Sequence, residues 1–508
     1  MKRNQTLHLI SAVALVTLLA KVLGIVREAL QARAFGTQAA ADLYTIANNY
    51  TIYLFTTAAY ALCVAAVPIL TPRLQRSHKE GYAAADNLIT ITFLLALLVA
   101  LLGVAFTFTP WAASLWYGEA ADAQRLASCL RIMMLTLPFI VLTYLLVALF
   151  QSQEHFILQG SMSIPYNLAL IVFLAFFASH LGLTGYVTAV SAAWLLQLGM
   201  TVPYAIREHY RPRLRCNLRA DYVRTFFKTA AVTILTTSIF LFCYLQDTSM
   251  AVDLTDSPVS AFYYADKLFT PLTTTLIYSI SPVRFPTCSK EYATPAPATA
   301  RRYVWGLRRA TRRGILPASA VLAVFGTPIV KVLFEGGSFD AASTAAAGTI
   351  FSVYALSMTG FCILDLLSKA YYTMERTLAP LAVNGGILLL NWCLNRLLSP
   401  RLGGAGLALA TALSLTAEGI LLAFLLLRKT GSIRLFPLVK SLAAALVTGA
   451  CLWFAAENVL TGTEGKLLLV VECGGMGILA AGLYALLLFL LRQEDFLALA
   501  GRFRSGRT

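Results

Sequence analysis

The chain has 508 residues, 58% hydrophobic and only 13% charged. A soluble globular protein carries about 25% charged residues, so too little polar surface remains here to coat a water-exposed fold, and lipid must solvate much of it. The formal net charge of +16 sits in loops between long apolar runs, which points to an anionic membrane leaflet and excludes a nucleic-acid partner.

Apolar stretches close to the ~20 residues that cross a bilayer recur from end to end. They predict an all-α integral membrane protein of about 14 transmembrane helices, at 8–32, 43–70, 85–109, 126–150, 158–180, 183–206, 226–246, 259–282, 312–334, 346–370, 378–398, 404–427, 438–457 and 467–491. The first follows Lys2 and Arg3 as a signal peptide does, but its apolar run is too long and lacks a small-residue cleavage site, so it is expected to remain as a span. Basic loops alternate with acidic or sparse ones. Arg73, Arg76 and Lys79 form the first basic group, and Arg207, Arg211, Arg213, Arg215, Arg219 and Arg224 a richer one; Asp247, Asp253, Asp256, Glu335 and Asp340 lie in loops of the other kind. This alternation predicts both termini and the 207–224 loop on the cytoplasmic side. That loop divides the chain into a lobe at 1–225, a second at 226–430, and a terminal helix pair with a basic tail at 431–508. Most cysteines, among them Cys63, Cys243 and Cys362, fall in apolar runs without CxxC pairing and read as small buried apolar residues.

A charge at the centre of a membrane helix costs about 2.5–3.5 kcal/mol, so each one needs a reason. In the first span, Lys21, Gly24, Arg27, Glu28 and Gln31 share an arc of about 120°, and the rest of the helix is apolar. Such a stripe faces other helices or a watery cavity. It reads either as an internal ion-pair network or, because two bases outnumber one acid, as an anion site. In the eighth span Tyr263, Lys267, Thr270, Thr274 and Tyr278 share one face, with Pro271 at its edge and Asp266 beside Lys267 as a partial neutraliser. Inward-facing cations from both halves of the chain suit a diphosphate, whose oxygens accept several charge-assisted bonds. Asp365 and Lys369 stand four apart and are expected to pair on one helix. Glu418 and Glu472 read as proton or ion sites, or as hydrogen-bonding partners of a neighbouring helix. The histidines are scattered and no HExxH, GxSxG or phosphate-cradling loop is present, so no enzyme activity is expected.

Four segments carry a family resemblance. Residues 21–29 read KVLGIVREA, followed by Ala34, Phe35 and Gly36 and by Ala41 and Asp42. Residues 259–268 read VSAFYYADKL and 333–339 read LFEGGSF. The last group is AYY at 370–372, TLAP at 377–380, Asn391, and GLALAT at 406–411. Together these resemble the lipid II flippase family (MurJ, also called MviN) of the multidrug/oligosaccharidyl-lipid/polysaccharide exporter superfamily. The resemblance implies two six-helix lobes plus a C-terminal helix pair around a central cationic cavity. It implies an alternating-access flippase of the bacterial cytoplasmic membrane, moving undecaprenyl-diphosphate-linked disaccharide peptide (lipid II) to the outer leaflet for cell-wall synthesis. Arg27 matches the family's essential first-helix arginine, Lys21 and Lys267 take places usually held by arginine, and Glu28 and Asp42 complete the matched substrate-binding set. Some members hold a sodium ion between later helices. Asn391, Asn395 and Thr411 stand at matching places, without a matching acid in 226–246. No other cofactor is implied.

One departure matters. Where the family carries an arginine in the second helix, this chain reads YTIYLFTT at 50–57, and an arginine added near Phe55 is expected to be tolerated if the substrate is lipid II. Three alternatives follow: a flippase for another polyprenyl-linked glycan, which the lost arginine favours; a cation or drug antiporter, which needs inward acids; and a membrane-embedded transferase, which needs an acidic pair that is absent.

Overall fold

The computed structural model describes residues 3–109, 120–252, 254, 258–280, 311–373, 378–430, 436–460, 465–491 and 493. Among these residues the fold is helical without strands; Gly336 and Phe339 form an isolated bridge. Helices occupy each of the expected stretches. By length and apolarity nine of the described helices can cross a membrane, or ten if the pair Leu316–Val324 and Gly326–Phe334, bent by 64°, counts as one. Part of the gap from the expected fourteen has local causes. Helix Leu378–Thr430 reverses at Gly403 (φ 56), so a single helix carries two of the expected spans. The seventh expected span is broken at Ser238 into Asp221–Thr237 and Ile239–Ala251, each too short to cross alone. The chain forms two compact units.

The first unit comprises Met1–Val252, Pro258–Ser260 and Gly336–Phe339. Its first helix, α1 (Arg3–Phe35), exposes Leu15, Leu18, Leu19, Val22 and Val26 and buries Ala20, Glu28, Gln31 and Ala32. The stripe therefore faces protein and the apolar remainder faces outward. The second helix, α2 (Ala39–Arg76), contains a π-turn at Asn49–Tyr53. This turn falls on the 50–57 stretch that departs from the family pattern. Asn49 donates to Thr248 Oγ1 at 3.4 Å, and the Tyr53 ring meets Tyr244 edge-on at 5.8 Å. Phe55 is buried. An arginine at Phe55 itself would be a buried charge in need of a partner, whereas the neighbouring Leu54, Thr56 and Thr57 are part-exposed.

The basic 207–224 loop is a pinned strap. The third helix, α3 (His78–Phe106), presents Asp86, Asn87 and Thr90 to it. Tyr210 donates to Asp86 at 2.7 Å, and the backbone N–H groups of Arg213, Arg215 and Asn217 donate to Asp86, Thr90 and Asn87 at 3.1, 3.2 and 2.6 Å. Burial, and then the Asp86 carboxylate, push the Tyr210 hydroxyl above its ordinary value, so it stays a donor. The arginine side chains of the strap are left at the surface.

The second unit comprises Asp253–Ser257, Ala261–Glu335 and Asp340–Thr508. Two apolar clusters pack the bent pair onto the last two helices, Phe436–Val459 and Lys466–Leu490: Leu316 with Ala444, Tyr484 and Leu488, and Phe325 with Leu452, Met476 and Ala480. Asp340 caps helix Ala341–Thr373, accepting from the Ser343 N–H and hydroxyl at 2.8 and 2.7 Å. Those two bonds hold its carboxyl below the usual value. The arms on either side of Gly403 pair antiparallel. Asn391 donates to Thr411 at 3.0 Å, and Asn384 meets Glu418 when its amide is oriented to donate.

Candidate functional site

Arg27 and Glu28 are neighbours on α1, and the guanidinium Nη2 is paired with Glu28 Oε1. Side chains at i and i+1 on a helix normally diverge by about 100°. They meet here because surrounding residues press both inward: Arg27 lies with its guanidinium 5.2 Å from the Tyr166 ring centroid, and only 13% of its side chain is exposed. Next along the stripe, Gln31 accepts from Tyr186 at 2.6 Å, and Tyr186 packs on Tyr44 with ring centroids 4.9 Å apart. Beside Gly24, Asn167 of helix Ile164–Phe176 donates to the Ala20 carbonyl at 3.3 Å. Lys21 is part-exposed on the same helix.

Asp42 accepts from the backbone N–H of Ser260 at 2.8 Å. Ser260 lies in the first turn of helix Val259–Ile280, so the carboxylate caps that helix and meets the positive end of its dipole. In the second unit, Lys267 Nζ lies 3.8 Å from Asp266 Oδ2 and 4.9 Å from the Tyr263 ring centroid. Asp266 in turn accepts from Thr270 at 2.7 Å. The side chains of Thr274 and Tyr278 lie outside the described residues, as do those of Asp365 and Lys369.

These contacts revise the charge balance read from sequence. Arg27 and Lys267 each have an acidic neighbour on the same helix, so neither is a bare cation. A guanidinium nevertheless carries five N–H donors in a fixed fork, more than one carboxylate oxygen can take. An anion that offers several oxygens can therefore be recognised beside the carboxylate. For sodium, Asn391, Asn395 and Thr411 are buried together, with Asn395 donating to Asn391 at 3.3 Å. Amide and hydroxyl oxygens are hard donors suited to a hard monovalent ion. Among the described residues no cluster of three or more His, Cys, Asp or Glu is placed to hold a metal. The signal missed from sequence is Tyr166: nothing in its local pattern marks it as the ring under Arg27.

The sequence matches the family described as lipid II flippase MurJ over residues 31–471. The chain belongs to the lipid II flippase MurJ family. A relative in Burkholderia cenocepacia described as lipid II flippase MurJ is 27% identical over 461 residues, 87% of this chain and 88% of its own length. A probable lipid II flippase MurJ of Vibrio cholerae is 26% identical over 523 residues, 96% of each chain. Among solved structures, a lipid II flippase MurJ in an inward closed conformation superposes with a TM-score of 0.76 at 19% identity, over 95% of this chain and 99% of that one. An inward-facing multidrug resistance MATE transporter of the MOP superfamily gives 0.62 at 11% identity, over 82% of this chain and all of that one. At these identities the two structures bear on fold alone, and they agree with the all-helical membrane architecture.

Proposed function

We propose that this MurJ family member flips lipid II across the bacterial cytoplasmic membrane, using the diphosphate as its handle. The observation that carries the reading is Arg27, a guanidinium held within the membrane-embedded part of α1 by Glu28 and the Tyr166 ring, on the helix face that turns inward. Lys21 and Lys267 contribute point charge, while Glu28 orients Arg27 and Asp266 orients Lys267. Asp42 belongs to this set through its cap on the helix that carries Lys267. Asn391, Asn395 and Thr411 are assigned to a sodium ion that biases the cycle.

The test is replacement: a bacterium depleted of its own flippase receives this chain, and lipid II at the outer leaflet is measured in sodium and then in potassium medium. Restored export in sodium and weaker export in potassium are expected. Failure to restore export in a strain with stable expression overturns the assignment of lipid II, and equal export in both media removes sodium.

The membrane orientation is proposed from the basic loops, with both termini and the pinned strap in the cytoplasm. Cys216 on the strap is exposed and serves as a native probe. A membrane-impermeant thiol reagent added to intact cells is expected to miss Cys216 until the cells are permeabilised, and to label an Asp253→Cys variant directly. Labelling of Cys216 from outside reverses the orientation.

A further inference from the structure

The seam between the arms of helix Leu378–Thr430 holds a carboxyl group that the flippase reading leaves unused. Glu418 is 0% exposed. Its Oε1 accepts from the Asn384 amide, which also donates to the Pro380 carbonyl at 3.0 Å. Its Oε2 is buried and makes no hydrogen bond. Ser414, one turn earlier on the same helix, likewise keeps a buried hydroxyl without a hydrogen bond. Among the described residues no basic side chain lies within ion-pair distance of Glu418.

The packing around this carboxyl is tight. A Cβ added to Gly360 would stand 2.7 Å from Thr416 Oγ1, and one on Gly419 would stand 2.9 Å from Ile363 Cγ2. Helix Ala341–Thr373 therefore meets this arm closely on both sides of Glu418. The titratable groups around it are few. From Ala341–Thr373, Tyr371 donates to the Leu422 carbonyl at 3.2 Å and Cys362 is buried. The Asp365 and Lys369 side chains lie outside the described residues. On the facing arm, Arg396 is exposed against Trp392 and Cys393 is exposed.

A carboxylate buried without a basic partner is disfavoured by the loss of its hydration, whereas the neutral acid is accommodated. The two orphaned groups, Oε2 and the Ser414 hydroxyl, gain partners only if the arms shift or water enters. We propose that Glu418 is a proton-binding site of the second unit. It carries a proton while the seam is closed and exchanges it with water when the seam opens, so that one proton moves with each transport cycle. On opening, the carboxyl O–H bond breaks, the proton passes to water and the carboxylate is hydrated; on closing, a proton from water returns. The site lies two turns from Thr411 and is separate from the sodium set. The proposal rests on the flippase reading only for the meaning of the cycle.

Two measurements on the full-length protein in lipid nanodiscs or proteoliposomes test it. Infrared spectra are expected to show a protonated-carboxyl carbonyl band at neutral pH that is lost in Glu418→Gln. Identical spectra of the two proteins overturn the site. In the second, lipid II export is followed as external pH is varied, with membrane potential and sodium held equal. The wild-type rate is expected to change by up to about tenfold per pH unit, the slope of one proton, and to become flat in Glu418→Gln. Glu418→Asp, which keeps the acid, retains the pH dependence and controls for folding. A wild-type rate indifferent to pH, or an unchanged profile in Glu418→Gln, overturns the coupling. Absence of export at every pH counts against the flippase reading, and the infrared band still decides the proton site.

Discussion

Arg27→Ala is expected to abolish lipid II export, lowering it by at least about tenfold to a hundredfold, the range of one or two charge-assisted hydrogen bonds. Arg27→Lys restores part of it, since a point charge is kept and the fork is lost. The single alanine variant is ambiguous by itself, because Arg27 is paired with Glu28 and the change strands that buried carboxylate. The decisive variant is Arg27→Ala with Glu28→Gln, which removes both charges and so strands no buried charge. If Arg27 binds diphosphate, this double variant inserts and melts like the parent and is still unable to export lipid II. If export returns in the double variant, the two residues form a structural ion pair, and the anion-binding role passes to Lys21 and Lys267 or fails. The readout is lipid II accessibility at the outer leaflet in cells that depend on this chain.

The first-span stripe was legible because a helical period places 21, 24, 27, 28 and 31 on one side and everything else there is apolar. The structure keeps that division, with Glu28 and Gln31 buried and Leu18, Val22 and Val26 exposed. The pairing of Arg27 with Glu28 was not legible, because adjacent residues on a helix do not ordinarily face each other. It takes the Tyr166 ring, contributed by a helix far along the chain, to hold the guanidinium in place. Asp266 beside Lys267 was legible, and the structure brings the two within 3.8 Å. The second-helix departure could be seen as a missing arginine, but the π-turn that occupies Asn49–Tyr53 has no compositional mark, since its extra residue per turn is set by what the helix packs against.

The later polar residues show the same boundary. Asn391 and Thr411 could be matched to a family pattern, while Asn384 and Glu418 could not. Their meeting depends on the chain reversing at Gly403, which fixes the register of the two arms and carries the pairing from Asn391 with Thr411 to Asn384 with Glu418. The strap is a further case. Its arginines gave the loop away by charge, but what orders it is the buried Asp86 on α3, whose role appears only once Tyr210 and the Arg213 amide are seen to donate to it.

Gly337→Ala is expected to destabilise the protein and to lower export without touching any charged residue. Segment Gly336–Phe339 clasps the C-terminal end of α1: the Ser338 N–H donates to the Arg33 carbonyl at 2.9 Å, and the Ser338 hydroxyl donates to the Ala34 carbonyl at 3.2 Å. These are carbonyls that a helix end leaves unsatisfied. The two backbones meet glycine to glycine. Gly337 has φ +60, and a Cβ there would stand 2.5 Å from the Arg33 oxygen; Gly36 has φ +59, and a Cβ there would stand 2.1 Å from the Ser338 oxygen. An alanine at 337 therefore faces a conformational penalty of about 1–3 kcal/mol and a collision with backbone that cannot swing aside. Relief comes only by pulling the clasp off α1, with loss of the Ser338 bonds as well. Because the clasp holds the end of the helix that carries Arg27, its release also loosens the position of the guanidinium. Ser338→Ala is the control: it removes the bond to Ala34, keeps the backbone bond to Arg33, and is expected to cost about 1 kcal/mol or less. Thermal unfolding of the purified variants in one detergent separates the cases. A Gly337→Ala protein that melts with the parent and exports normally shows that the clasp contributes nothing to the placement of α1.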